Sequence, residues 1–492
     1  MNLPVVSRIL GMLLAMFSLT MIPPMIISWL FDDGGSWLTF LDGMGVILIA
    51  AMVFWLAGKP AGSGMDLRLR DGFLIVALFW VVLGVAGSVP FIISESLDIS
   101  ITDAVFESIS GLTTTGATIL TGLDELPRSI LFYRQMLQWL GGMGIIVLAV
   151  AVLPMLGVGG MQLYRAETPG PVKDHKLTPR ITQTAKALYF IYASITIACF
   201  VAYWIAGMEW FDALGHAFST VAIGGFSTHD ASIGYYAQTG HPNALAIEMI
   251  AVVFMLIGAA NFSLHFLAWK NRSIKGYLQD PEFKAMISIL LSVTAITVFY
   301  LFASDYYESF SESLRKGLFQ AVSIGTTTGF TTAKYSMWPG SLPVMLLLVS
   351  FIGGCAGSTG GGMKVIRWLL IYKQGAREVL RLVHPNAVIP VKLGNAAVPT
   401  RVIEAVWGFF SIYIVMFGVM MLVLMATGLD QDTAFSAIAA TLNNLGPGLA
   451  DVADNFISIP DPAKWVSIFA MLLGRLEIFT LLVLFTPSFW DR

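Results

Sequence analysis

Four short runs carry the chemistry that this sequence offers. They are Thr113-Thr114-Thr115-Gly116, Ala222-Ile223-Gly224-Gly225, Thr326-Thr327-Thr328-Gly329 and Asn443-Asn444-Leu445-Gly446, and their last glycines stand 109, 104 and 117 residues apart. Ser110, Ser219 and Ser323 lie six residues before their glycines, with Ala440 in the fourth run, so the match extends beyond the glycine. The runs supply amides, hydroxyls and backbone carbonyls but no ionisable group, which suits neither acid–base nor nucleophilic catalysis. Oxygens in that density suit the replacement of a cation's hydration shell. Successive residues can aim carbonyls at one axis only if some take backbone angles normally closed to residues with a Cβ, and glycine permits that. A single Thr- and Gly-rich run is commonly a packing surface between membrane helices. Four at regular spacing point to a pore.

The elements that must position these runs follow from composition. Of the 492 residues, 56% are hydrophobic and 12% charged, with mean hydropathy +0.77; soluble domains average about 45 to 50% and about 25%. Uncharged runs at 9–31, 72–94, 187–208, 249–269, 285–304 and 405–429 reach the roughly 20 residues a bilayer requires. The first is a retained span without a small-residue cleavage site, and with 36–58 it forms an N-terminal hairpin. Each later unit has one grammar: an apolar span, a short helix, the Gly-rich run, a loop and a second span. The short helices, expected at 102–112, 211–221, 315–325 and 431–442, are too brief to cross and must enter and turn back. Non-helical backbone at membrane depth is tolerated inside protein or along a water-filled path. The expected fold is all-α and polytopic, with four membrane-pore-membrane repeats around a central pore. Its parts are an N-terminal transmembrane hairpin (1–70) and repeats at 71–182, 183–280, 281–398 and 399–492. Cys199 and Cys355 both lie in apolar stretches, which excludes a disulfide framework.

Charge is distributed by side. If the chain starts inside and the segments around 95–128, 209–248, 305–343 and 430–464 face outside, the inner side holds 21 basic and 9 acidic residues. The outer side holds 6 and 21, leaving +12 inside and −15 outside. The positive-inside rule then sets both termini in the cytoplasm. The acidic outer face would concentrate cations at its mouth, or it is a by-product of topology.

With TTTGAT (Thr113 to Thr118), IGGFST (Ile223 to Thr228), TTTGFTT (Thr326 to Thr332), NNLGPG (Asn443 to Gly448) and GGCAGSTGGGMK (Gly353 to Lys364) in order, the chain resembles the Trk/Ktr/HKT superfamily of potassium transporters. It is most similar to the bacterial TrkH-type subunits, over essentially its whole length. The resemblance implies potassium uptake across the cytoplasmic (inner) membrane, with potassium the transported ion. Its ligands would be the backbone carbonyls of Thr114 and Thr115, Ile223 and Gly224, Thr327 and Thr328, and Asn444 and Leu445, beside filter glycines Gly116, Gly225, Gly329 and Gly446. Each short helix would aim its negative C-terminal end at the ion. In plant relatives a serine in place of the first glycine accompanies sodium transport, so Gly116 favours potassium. The fourth run departs most from the Thr-rich pattern, as it does in the family.

Gly353, Gly354, Gly357, Gly360, Gly361 and Gly362 interrupt the second span of the third repeat, and each helical glycine costs about 1 kcal/mol relative to alanine. The resemblance reads this as a gating loop below the filter; the alternative is a kink that relieves crowding. Arg475 falls within the last span, where an arginine usually faces an interior cavity. Glu477 projects from another face of that helix, so an intrahelical pair is not expected. The arginine is either a barrier near the gating loop or half of a structural ion pair. His216, His229 and His241 lack the spacing of a metal site. No G-x-x-x-x-G-K-[ST] run occurs, so nucleotide control would come from a partner. The family's partner is a cytosolic nucleotide-binding ring of RCK domains (TrkA type), for which the basic segments 165–186 and 364–401 are candidate docking sites; alternatively they only orient the spans. Relatives form homodimers. No nucleic acid is expected. A coupled symporter would leave ionisable side chains inside the membrane, where only Asp42, Glu477 and Arg475 qualify. A membrane-embedded enzyme would need converging acid, base or nucleophile.

Overall fold

The computed structural model describes residues 2–58, 69–144, 181–394 and 396–491. The inner basic residues Lys59, Arg68, Arg165, Lys173, Lys176, Arg180 and Arg492 lie outside them. The regular elements of the described residues are helices, apart from one two-stranded ribbon, β1 (Lys392–Leu393) against β2 (Ala396–Ala397). An N-terminal hairpin of α1 (Leu3–Ser18), α2 (Ile22–Phe31) and α3 (Trp37–Ala57) comes first.

One order then recurs. The first unit has α4 (Leu69–Gly87), α5 (Val89–Ile93), the short helix α6 (Ile101–Leu112) and α7 (Arg128–Gly142). The second has α8 (Ile181–Ile205), the short helix α9 (Trp210–Ala222), α10 (Ala244–Ala259) and α11 (Phe262–Asn271). The third has α12 (Pro281–Ala303), the short helix α13 (Phe310–Gly325), α14 (Leu342–Val349) and α15 (Val365–Val383). The fourth has α16 (Thr400–Ala426), the short helix α17 (Gln431–Leu442), α18 (Asp461–Arg475) and α19 (Phe479–Leu482). Phe299, Ile205 and Leu422 on the long helices stay exposed, as expected where the surrounding solvent is lipid.

Three of the short helices start on side-chain caps. Ser100 accepts from the Asp103 amide, Ser309 from that of Glu312, and Asp430 from those of Asp432 and Thr433, satisfying donors that helix starts leave free. All four short helices are buried over their C-terminal halves, Phe218 and Leu318 being partly so. The units interlock in a cycle: α7 packs on α9, α10 on α13, α14 on α17, and α18 on α6.

Two spans differ from the sequence expectation. The run 249–269 is not one straight helix but bends by 95° between α10 and α11. Ala260 is extended there, and Asn261 caps the new helix by accepting from the Ser263 amide. The final span ends its helix at Arg475 and bends by 109°, because Glu477 and Ile478 both take left-handed angles. Arg475 is therefore the last residue of α18 rather than the middle of a continuous span. The third short helix begins at Phe310, five residues earlier than expected.

Glycines permit the closest helix approaches. A Cβ on Gly141 of α7 would overlap the Leu112 carbonyl at the end of α6, and one on Gly474 of α18 would overlap the Leu442 carbonyl at the end of α17. Gly474→Ala should therefore lower the midpoint of thermal unfolding in detergent, by the equivalent of about 1–3 kcal/mol for overpacking. An unchanged melting curve would contradict the packing described.

Candidate functional site

The four runs begin where the short helices end, and each helix closes in the same way. The amide of Thr115 donates to the Ser110 carbonyl, Gly224 to Ser219, Thr328 to Ser323 and Leu445 to Ala440, at 2.7–2.9 Å. A second bond goes from Thr114 to Gly111, Ile223 to Thr220, Thr327 to Ile324 and Asn444 to Thr441. This pairing is the Schellman closure, which requires a left-handed residue just past the helix. Thr114, Ile223, Thr327 and Asn444 fill that place with φ of 54°, 54°, 67° and 52°. None is a glycine, and each such residue costs about 1–3 kcal/mol of backbone strain. What the position six residues before the glycine supplies to this closure is its backbone carbonyl, so Ala440 serves as well; Ser323 in addition donates its hydroxyl to the Phe330 carbonyl.

Two residues later the backbone is left-handed again, at Gly116, Gly225, Gly329 and Gly446. Alternation of hand along a segment turns successive carbonyls toward the same side. A Cβ on Gly116 would overlap the carbonyl of Gly224, on Gly225 that of Thr328, on Gly329 that of Leu445, and on Gly446 would come within 2.7 Å of that of Thr115. The contacts close a ring through all four units. Glycine is required at these positions by its angle and by its neighbour at once.

Side chains brace the ring from outside. Thr113 and Thr115 share a hydrogen bond at 2.8 Å, as do Thr326 and Thr328. Asn444 donates to Thr115 Oγ1 at 2.9 Å and to the Met471 carbonyl at 3.0 Å. Asn443 donates to Ser350 and accepts from Tyr413. Glu107 and Arg134, both buried, pair at 2.6 Å; Glu107 also accepts from the Ile119 amide, while Arg134 donates to the Ser227 carbonyl. Each ion has the additional hydrogen bonds that a buried pair needs.

The Gly-rich segment between α14 and α15 is irregular throughout and seats against the ends of the short helices. Thr359 Oγ1 donates to the Val221 carbonyl (2.9 Å), the Gly361 amide to Thr327 Oγ1 (2.7 Å), and the Gly362 amide to the Asn443 carbonyl (3.0 Å). Amides of the same segment satisfy carbonyls freed at the bend after α10: Cys355 donates to Ala259 and Thr359 to Gly258. Arg475 bridges the first unit to the segment, donating to Thr114 Oγ1 and the Thr359 carbonyl, each at 3.2 Å, and to the carbonyls of Gly141 and Gly142. Glu477 is bound by Arg367 of α15, consistent with its expected projection away from Arg475.

Every expected filter and gate residue therefore falls in one assembly. Sequence reasoning missed the left-handed residues ahead of the glycines, and did not single out three buried charges. Glu107, Arg134 and Glu248 are all buried, Glu248 being bound by Arg315, whereas Asp42 is exposed. Polar residues at Arg134, Gln135 and Gln138 within an otherwise apolar span were the available signal. Among the described residues no group of three or more His, Cys, Asp or Glu forms a metal site.

Residues 39–492 match the TrkH family, described as cation transport proteins. The chain belongs to the TrkH family. It is similar to the Trk system potassium uptake protein TrkH of Halomonas elongata, 57% identical over 492 residues with 100% of both chains covered. The protein of the same description from Escherichia coli (strain K12) is 56% identical over 490 residues, again with 100% of each covered. The crystal structure of the potassium transporter TrkH from Vibrio parahaemolyticus matches with a TM-score of 0.89 at 55% identity, covering 100% of both chains. This TrkH-family chain is thus a multi-span membrane transport protein and not an enzyme.

The chain also holds His229 between Asp124 and Asp212 of α9, the latter at 3.2 Å, with the ring stacked on Tyr235. Both ring nitrogens face carboxylates, so only imidazolium can donate to both. Burial lowers the His229 pKa, but hydrogen bonds and charges from Asp212 and Asp124 outweigh it and raise the value above 6.5. A raised histidine pKa adds stability that is present below the unfolded value and lost as pH rises through the folded one. The melting midpoint should accordingly fall as pH is raised above 6.5, and His229→Gln should flatten that dependence. Equal pH profiles for the two proteins would show that the clamp contributes nothing.

Proposed function

We propose that the chain conducts potassium inward across the cytoplasmic membrane, with both termini in the cytoplasm, through a filter made by the four runs. The ion path lies on the axis of four membrane-pore-membrane repeats (71–182, 183–280, 281–398 and 399–492) that follow the N-terminal hairpin (1–70). The observation that carries this reading is the closed ring of left-handed glycines, each against the next unit's carbonyl. Backbone oxygens there replace the hydration shell. The short helices Ile101–Leu112, Trp210–Ala222, Phe310–Gly325 and Gln431–Leu442 all end at the ring, so four negative helix ends face the cation. The names of the relatives, Trk system potassium uptake proteins, support potassium as cargo.

The driving force is the membrane potential, about 2.3 kcal/mol per charge per 100 mV. Glu107 and Glu248 are each held by an arginine, which favours channel-like conduction over proton coupling. Segment 353–362 with Arg475 forms the gate, since it binds all four units on the side where the short helices end. On the inner side, α15 carries Lys373, Arg377 and Arg381 beside exposed Leu380, Leu382 and Val383. A cytosolic RCK-type nucleotide-binding regulator docks there in this reading, and the chain works as a homodimer, as the family resemblance implies.

Purified protein in liposomes with an imposed potassium gradient should pass potassium and rubidium well above sodium. Gly116→Ser should shift the reversal potential in mixed potassium and sodium toward that of sodium, because the added side chain displaces the Gly224 carbonyl. A folded variant with unaltered selectivity would remove the ring from the ion path.

The gate reading has its own test. Arg475→Gln takes a positive charge and several of the segment's tethers away together. Potassium flux per folded molecule, measured without any partner, should rise even as the melting midpoint falls. Level or reduced flux would leave Arg475 as a structural residue only.

A further inference from the structure

The ring is not fourfold in its bracing. At the position before each filter glycine the first unit has Thr115 and the third Thr328, whose hydroxyls are bonded within their own runs, and the fourth has Leu445. The second has Gly224, which does not take a left-handed angle. A glycine is therefore not needed there for its conformation. It is needed for room: a Cβ on Gly224 would stand 2.5 Å from Gln138 Oε1 and 2.8 Å from its Nε2.

Gln138 comes from α7 of the first unit and is fully buried. Its Nε2 donates to the Gly224 carbonyl at 2.6 Å, and its Oε1 accepts from the Phe226 amide at 3.1 Å. The partners fix the amide's orientation, since a carbonyl only accepts and a backbone N–H only donates. Gln135, three residues earlier on the same helix, donates to the Phe226 carbonyl at 3.2 Å. Among the described residues, no side-chain amide donates to the equivalent carbonyls of Thr115, Thr328 or Leu445.

Resting on the potassium-filter reading above, we propose that Gln138 is a positioning residue for ion selection. It fills the space of the side chain that the second run lacks and holds the Gly224 carbonyl in the ring from the neighbouring unit. A carbonyl oxygen has two lone pairs, so the amide takes one and leaves the other for the ion. The hydrogen bond fixes this oxygen's direction and draws off part of its electron density. One of four ligands thereby becomes stiffer and weaker than the rest, and the ring's preference among cations depends on that bond.

The test compares Gln138→Met, which keeps bulk without the donor, with Gln138→Ala alone and with Gln138→Ala/Gly224→Ala. The double variant returns a side chain to the vacated space. Potassium-to-sodium permeability ratios come from reversal potentials in reconstituted protein, and packing from melting curves. The parent's ratio is measured first and bears on the potassium-filter reading itself. The expected result is a fall of roughly fivefold in the ratio for Gln138→Met, in keeping with loss of one hydrogen bond. The double variant should regain melting temperature over Gln138→Ala but not the ratio. A folded Gln138→Met with the parent's ratio, or a double variant that regains the ratio with its stability, would overturn the proposal and leave Gln138 as a space-filler.

Discussion

The structure depends on one constraint: a backbone segment that turns twice into the left-handed region at membrane depth, pressed against its neighbour's carbonyl. Such a segment is tolerated in an apolar surrounding only if its polar groups are satisfied or face a water-filled path. The short helices exist to deliver it, and the Schellman closure on Ser110, Ser219, Ser323 and Ala440 launches all four segments in one direction. The helix after each unit's run (α7, α10, α14 and α18) then lies on the next unit's short helix, so strain at Thr114, Ile223, Thr327 and Asn444 is held by packing from an adjacent unit. No unit could keep its filter segment alone.

The same constraint explains the breaks below. A straight helix after α10 or α18 would bury its own carbonyls, whereas the bends at Ala260–Asn261 and Glu477–Ile478 free them. The Gly-rich segment supplies amides to the carbonyls of Gly258, Ala259 and Asn443. The segment proposed as the gate is thus also the partner that satisfies these carbonyls. Arg475 couples this segment to the first unit, and Arg367 couples α15 to Glu477, two residues beyond Arg475. If the Gly-rich segment gates the path as proposed, movement of α15 has a short mechanical route to it.

Much of this was legible in the sequence. The four runs announced themselves by spacing, because only glycine meets both the angle and the close approach at 116, 225, 329 and 446. The helix break at 353–362 was legible for the same reason. The bend at Ala260–Asn261 was harder to see: the run 249–269 is long and apolar enough for one span, Asn261 is a capping signal within it, and the freed carbonyls are met by amides from a distant segment. The left-handed Thr114, Thr327 and Ile223 were equally hidden, since nothing in their side chains favours that region; only Asn444 is of a type that takes it readily. Gln138 was visible as a polar residue in an apolar span, but its partner, 86 residues away, was not.

The central claim is that the four carbonyls before the filter glycines bind one cation on their common axis. Rubidium scatters anomalously and stands in for potassium, so crystals grown in rubidium would locate it directly. The account predicts an anomalous peak on the axis within coordination distance of the carbonyls of Thr115, Gly224, Thr328 and Leu445, and its loss when sodium replaces rubidium. Rubidium bound elsewhere in the protein with no peak on that axis would contradict it.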